Sequence, residues 1–435
     1  MSTIDYTIPS IPARIKDKDP SSPTFRQWIT NPKSQQTASI VDPTFKERLH
    51  EGFKKTVETE IEHWRKGWLE ANNVDSGEIG VQVLVTSRGK DILDKGYGPT
   101  PSQAKFSPDT VQWMGEFTVV YFRYALLRLL ENGSIASLDT TVESILGITG
   151  TVTSGLTVRH LFSGTAAFNP ISYPYDTTDA YTAGATGGVT KADRLDAIKD
   201  DTLSGTHGDI FWTTTSLAGR MQAWLIAHII EDVTGEDWQD AIKSLVIDHI
   251  GLKNTFADIN EARREGVGYE RCNVRELPRG VEVNSARVAP GFDIGNAGVE
   301  LDIEIDYGYR GIISNFRDFH KVIWAGSSLN SSIWDADVGT GSAARPTGGC
   351  GLEETMLTGG TGFTRVGLSW YANSNDMNGR VVYMPADDLL ITIAHTSGYE
   401  TRELNDQLLV RFAVQAVRGE PFTESDYMTD GVFTG

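Results

Sequence analysis

Between residues 111 and 133 the chain reads VQWMGEFTVVYFRYALLRLLENG, a run that is apolar on nearly every side of a helical wheel. A helix with a single apolar stripe can lie on a surface, but one that is apolar all round has to be enclosed. The run predicts a helix in the middle of a domain, ended by Asn132-Gly133, and the other elements must wrap around it. With 435 residues, 39% of them apolar and 22% charged, the chain has enough material to do so. That composition excludes disorder, collagen and coiled coil and describes a soluble globular protein.

The wrapping elements are partly readable. Residues 1–40 are polar and punctuated by Pro and Ser, and read as an arm lying on the surface or partly ordered. Asp42-Pro43 then opens a long amphipathic helix marked by Phe45, Leu49, Phe53, Val57, Ile61, Trp64 and Trp68. GVQVLVTSRGKDILDKGYG (80–98) alternates around a Ser-Arg-Gly-Lys turn, as a hairpin with a buried face does. After a loop-rich stretch, a second apolar helix starts near residue 221 and stops before Gly235. YRGIISNFRDFHKVIWAG (309–326) reads as a turn and helix, GRVVYMPADD and LLITIAHTS as strands, and 401–418 as a closing helix. Helix and sheet at both ends around a mainly helical middle predict one α/β (α+β) core with a helical insert. The expected division is an arm (1–40), a sheet domain (41–110 with 300–420), a helical domain (111–299) with a cleft between, and a tail (421–435).

Fifty-eight acidic against 39 basic side chains give a net charge of −19, which disfavours nucleic acid and anionic lipid as partners. Cys272 and Cys350 are too few for a disulfide framework, although one bridge between them stays open, and a reducing compartment is the simpler reading. With no apolar leader segment at the N-terminus and no apolar run of membrane-spanning length, a cytoplasmic protein is expected. The eight histidines form no HExxH or paired arrangement, so neither a metal nor another cofactor is expected. His160 reads as structural, and His207 as a residue lining the cleft.

Six segments, in order, resemble the serine β-lactamase and penicillin-binding-protein superfamily, nearest to class C β-lactamases, related esterases and fungal lovastatin-type acyltransferases. The hairpin 80–98 is similar to the first two strands of that family, and GEFTVVYFRYALLRLLENGSIASLDTTV to its nucleophile helix and the turn after it. GLTVRHLFSGTAAF, WLIAHIIEDVTGEDW with IGLKNTF, YRGIISNFRDFHKVI, and VGLSWY with the last strand pair complete the likeness, which covers roughly residues 45–418. It implies a β-lactamase/transpeptidase-like fold, an antiparallel sheet flanked by helices with a mainly helical insert.

The family's catalytic motifs are changed. Its Ser-x-x-Lys pairs a weak nucleophile with the amine that takes its proton. Counted back from Gly133, the serine position here is Glu116 and the lysine position Val119, and no Ser or Lys lies between Pro108 and Glu131. The tyrosine of the second motif falls at Thr213 or Ala218, the third motif near Asn373-Ser374-Asn375, and the structural HTSG is Gly164-Thr165-Ala166-Ala167.

The resemblance therefore points to an enzyme without an acyl-enzyme step: an isomerase, cyclase or lyase type acting on a hydrophobic natural-product intermediate. Glu116, at the mouth of the buried helix, is the expected acid/base. Trp113, Trp212, Trp224 and Trp370 are expected to wall the substrate, with Thr213, Arg220, Tyr371 and Asn373 supplying polar contacts. The alternatives are a catalytically silent binding or scaffold protein, and a diverged hydrolase or acyltransferase whose serine is Ser163 or Ser216.

Overall fold

The computed structural model describes residues 81–87, 90–97, 106–114, 117–168, 195–196, 198–199, 202–209, 217–257, 261–262 and 311–335, with further strands named below. The helices read at 42–68 and 401–418 lie outside the described residues.

The buried helix is α1 (Thr118–Glu131), and among its residues Thr118–Leu127 and Leu129 are buried. It stops where Gly133 takes a positive φ of 76°, a backbone that glycine adopts without Cβ strain. It also starts later than expected. Gln112–Trp113 form a strand (β5), because they pair with Ile313–Ser314 (β8) and Gln112 also pairs with Glu270. Ladder bonds to a segment two hundred residues away override the local helical pattern there. With Tyr269–Glu270 (β6) and Arg287–Val288 (β7) they make a four-stranded sheet, ordered β7-β6-β5-β8, at the head of α1.

Around α1 pack α2 (Val142–Leu146), α3 (Val158–Ser163), α4 (Leu217–Thr234), α5 (Trp238–Ile242), one π-helical turn (Lys243–Ile247), α6 (Asp248–Ile250) and α7 (Phe316–Trp334). Aromatic pairs fix the seams. Phe117 meets Phe316 and Phe319, Phe122 meets Trp238, and Tyr124 meets Trp334 edge-on at 6.3 Å. α7 runs beyond residue 326 and breaks at Asn330, so that Trp334 folds back onto Gly326. A Cβ at Gly326 would lie 2.4 Å from the indole, so only glycine permits that return.

The large sheet is antiparallel and eight-stranded, ordered β4-β3-β14-β13-β12-β11-β10-β9. Its centre comprises β3 (Val81–Ser87) and β4 (Lys90–Tyr97), which form the expected hairpin, and β12 (Gly362–Ser374), β13 (Met377–Met384) and β14 (Leu389–His395). β9 (Asp337–Val338), β10 (Thr347–Gly348) and β11 (Glu353–Gly359) extend it. Leu84, Val381, Tyr383, Leu390 and Ala394 join the helical core, while Val83, Val85, Val382, Ile391 and Ile393, one residue out of phase with them, are buried as well. Burial on both faces explains why these strands read as nearly continuous apolar runs. In the arm, where only a polar surface segment was expected, β1 (Arg14–Lys16) pairs antiparallel with β2 (Trp28–Thr30). Ile15 and Ile29 sit opposite each other in that pair, too short an alternation to register as a strand pattern.

α7 is tied to the sheet by one histidine. His320 bridges Thr86 of β3 through Nδ1 (2.9 Å) and Thr392 of β14 through Nε2 (2.6 Å). Trp324 Nε1–H donates to Thr86 Oγ1 (2.9 Å), so the same hydroxyl also ties in the next turn of α7. Burial, helped by the nearby Arg317 charge, pushes the His320 pKa down from 6.5 to about 3. Arg317 in turn binds Asp91 and Asp94 of β4 and Asp109 (2.6 Å to Oδ1), anchoring the start of α7.

Between pH 6.5 and about 3 the unfolded chain therefore binds a proton at this histidine that the folded chain refuses. Stability held by neutral His320 is complete above the unfolded value and lost on acidification, at up to about 1.4 kcal/mol per pH unit. Thermal melts from pH 7 to pH 4.5 check this. His320→Asn lowers the melting temperature at pH 7 but flattens its fall with acid, whereas parallel curves would contradict the assignment.

Candidate functional site

The head of α1 is built from short reciprocal bonds. The Met114 amide donates to Ile312 O (2.9 Å) and the Phe117 amide to Met114 O (3.0 Å). Thr118 Oγ1 accepts from the Ile312 amide (3.3 Å). Met114 and Phe117 are both buried. Glu116 itself lies outside the described residues. Phe117 occupies the N-cap position and its ring offers no oxygen to the first-turn amides.

Val119, at the position of the family's catalytic lysine, is 1% exposed and belongs to the apolar core. Thr118, the nearest described hydroxyl, is buried and bonded to Ile312, and three residues on stands Tyr121, whose phenol burial pushes well above its usual range. Neither a serine-like nucleophile nor an amine base is therefore present in the first turn of α1. Ser163, an alternative nucleophile, is also buried, with its hydroxyl engaged by Arg159 O (2.8 Å) and Thr165 Oγ1 (2.9 Å). Ser216 lies outside the described residues.

Behind the helix head sits a buried polar cluster that was not read from the sequence. Thr255 Oγ1 and Ser314 Oγ are 2.7 Å apart, and Asp318 accepts from the Asn254 amide (2.7 Å), the Thr255 hydroxyl (3.2 Å) and Lys321 Nζ (2.7 Å). Asn315 caps α7 by accepting the Asp318 amide at 2.8 Å. The segments IGLKNTF and SNFRDFHK carry these residues, but only their pairing across sixty positions reveals the cluster. These bonds make it an anchor joining the 252–256 turn, β8 and α7.

Among the expected binding residues, Trp212 and Thr213 lie outside the described residues. Trp113 is in β5, Arg220 in the first turn of α4, and Trp370, Tyr371 and Asn373 in β12. Strand parity separates the last three. Trp370 pairs with Val381, a core position facing the helices, so Tyr371 and Asn373 occupy the alternate face. Trp224 is 5% exposed and packed in the core cluster. His207 accepts from the Ala167 amide at Nδ1 (3.0 Å) and contacts Val152 O at Nε2 (2.9 Å), so both ring nitrogens are used in joining loops. It stacks on His160 at 5.5 Å, and burial lowers the pKa of both rings, that of His160 to about 4. His160 Nδ1 accepts from the Thr157 amide at the start of α3, a structural role.

Comparison with known proteins agrees with this architecture. A family model described as Beta-lactamase matches residues 53–415, and the chain belongs to the beta-lactamase family. Its fold is the β-lactamase/transpeptidase-like one, helices around an antiparallel sheet. A curated relative, Protein flp of Staphylococcus aureus (strain MW2), is 25% identical over 238 residues, 51% of this chain, and the chain spans 42% of that relative's length. Among solved structures, an octameric penicillin-binding protein homologue from Pyrococcus abyssi aligns with a TM-score of 0.58 at 16% identity, covering 83% of this chain and 77% of that one. EstCE1, described as a hydrolase with promiscuous acyltransferase activity, aligns at 0.55 and 16%, covering 84% and 99%. A class C beta-lactamase from Rhodobacter sphaeroides gives 0.55 and 16%, covering 82% and 98%. At these identities the likeness is one of fold.

The buried valine yields a direct test. Val119→Lys places an ammonium in the apolar core, which costs about 3 kcal/mol or more of unfolding free energy in a urea titration. A variant as stable as the wild type would mean that position 119 opens to the cleft.

Proposed function

We propose that this beta-lactamase-family protein is an enzyme that works without an acyl-enzyme intermediate. It uses the pocket at the head of α1 for proton transfer on a hydrophobic natural-product intermediate. The observation that carries this reading is Val119: the place of the general base is filled by a core aliphatic side chain, so a hydroxyl beside it would have no amine to deprotonate it. Glu116 stands two residues before α1, where a carboxylate is favoured by the helix dipole and by unsatisfied amides.

In this mechanism Glu116 takes a proton from one substrate carbon and returns it to another. Atoms and charge then balance without a nucleophile or co-reactant, as an isomerisation requires; in a cyclisation the order reverses, a protonated Glu116 donating first and its carboxylate then recovering a proton from the cyclised cation. Aromatic residues at 113, 212 and 370 hold the flexible substrate in one folded conformation, which supplies much of the rate. A second reading, a diverged hydrolase or acyltransferase, draws on what the structural neighbours are described as doing. It needs a nucleophile outside the described residues, such as Ser216.

Intact-mass measurement separates the two. After incubation with a chromogenic cephalosporin and with a fluorophosphonate, no covalent adduct is expected, and an adduct would establish the second reading. Where a hydrophobic intermediate is converted, Glu116→Gln lowers kcat by about 100-fold or more with an unchanged melting temperature. Binding without turnover by the wild type would leave a silent binding protein.

A further inference from the structure

Two Asn-Gly pairs occur in the chain, Asn132-Gly133 and Asn378-Gly379, and the fold treats them in opposite ways. Asparagine is among the chemically labile residues, and glycine after it is the most permissive neighbour. With no Cβ in the way, the glycine amide nitrogen can reach the asparagine carboxamide and close a five-membered ring. How fast it does so depends on how firmly the surrounding backbone is held.

Asn132 is the C-cap of α1, and both it and Gly133 are exposed. Among the described residues nothing lies within 4 Å of the place a Cβ would take on Gly133, so the turn has room to move. The Asn132 side chain already folds toward the backbone that follows it. Its Oδ1 accepts the Ser134 amide at 2.9 Å, which draws charge from Cγ and leaves the Nδ2 amino group outside that bond. Two bonds restrain the pair, Asn132 N–H to Arg128 O (3.0 Å) and Gly133 N–H to Leu130 O (3.1 Å). Both belong to the last turn of the helix, which frays first. Gly133 tolerates either sign of φ and can absorb the swing of ψ at Asn132 away from 0° that ring closure needs.

Asn378-Gly379 is the contrasting case. It lies inside β13, with Asn378 paired to Asn373 and His395, and Gly379 paired to Ala372 and Ala394. A ladder on each side holds this backbone extended, so closing the ring there means parting neighbouring strands of the large sheet.

We infer that Asn132 is a site of spontaneous, backbone-assisted deamidation at the foot of the buried helix. The Gly133 nitrogen bonds to Asn132 Cγ, and its proton leaves with the Nδ2 amino group as ammonia. One water then opens the resulting succinimide at either carbonyl, giving aspartate or isoaspartate without any other reactant. The isoaspartyl product adds a methylene to the main chain just before Ile135, which is 2% exposed and whose amide is bonded to Leu129 O at 2.9 Å. Either product also sets a carboxylate at the negative end of the helix dipole, next to Glu131. Ageing at this one position therefore loosens the element that the rest of the fold encloses. The site is at the opposite end of α1 from Glu116 and asks nothing of the proposed chemistry.

The test holds the full-length protein in mildly alkaline buffer and follows both asparagines by peptide mass mapping, with isoaspartate recognised by its resistance to an aspartate-specific endoprotease. In the native protein Asn132 is expected to convert at least about 10-fold faster than Asn378, and in urea the two rates come within about 3-fold of each other. Over the same interval the melting temperature of the wild type falls in step with conversion, while that of Asn132→Ser, which keeps a hydroxyl for the Ser134 amide, stays constant. The comparison of native and urea-unfolded wild type needs no variant. An intact Asn132, equal native rates at the two positions, or a melting temperature unmoved by conversion at 132 would overturn the inference.

Discussion

The fold depends on enclosing α1. A fourteen-residue helix with almost every position buried has no face to offer water, so the small helices, α4, α7 and the sheet must close around it. Each enclosing contact also sets the geometry of the helix head. Phe117 is wedged against Phe316 and Phe319, Thr118 accepts from Ile312, and β5 is pinned to β8 immediately before the turn. The described backbone on either side of the helix head, at 112–114 and from 117 on, is thus fixed by core packing. This economy explains how family chemistry can change while the scaffold stays legible: Val119 deepens the core where a lysine would have to be held within it.

A second consequence is that some polar groups inside the enclosure act as ties between its elements. His320 joins α7 to two strands as a neutral ring, and Asp318 holds the 252–256 turn through two donors, the Asn254 amide and the Thr255 hydroxyl. The stacked His160 and His207 knit loops together, again as neutral rings.

Much of the scaffold was legible in the sequence because its signals are local. The β3–β4 hairpin alternates around its own turn, α1 and α4 stop at Gly133 and Gly235, and β13 and β14 are short apolar runs. What stayed hidden depends on partners far away. Residues 112–113 become a strand only because 313–314 and 270 lie beside them, and α7 runs on to Trp334 only because Gly326 leaves room for the indole. The candidate site divides in the same way. Position 116 can be counted back from Gly133, and the loss of the base read directly at Val119. Which of Trp370, Tyr371 and Asn373 share a face depends on strand parity, and that is set by the pairing of Trp370 with Val381.

The central proposal is that Glu116 takes the place of the family's attacking alcohol and is enclosed there. Labelling with a water-soluble carbodiimide and an amine, read by peptide mass mapping, measures that enclosure directly, with exposed Asp139 as the internal reference. The account predicts that Glu116 is modified at least 10-fold more slowly than Asp139 and is protected further by a bound apolar ligand. Modification of Glu116 as fast as Asp139, unaffected by ligand, would contradict it.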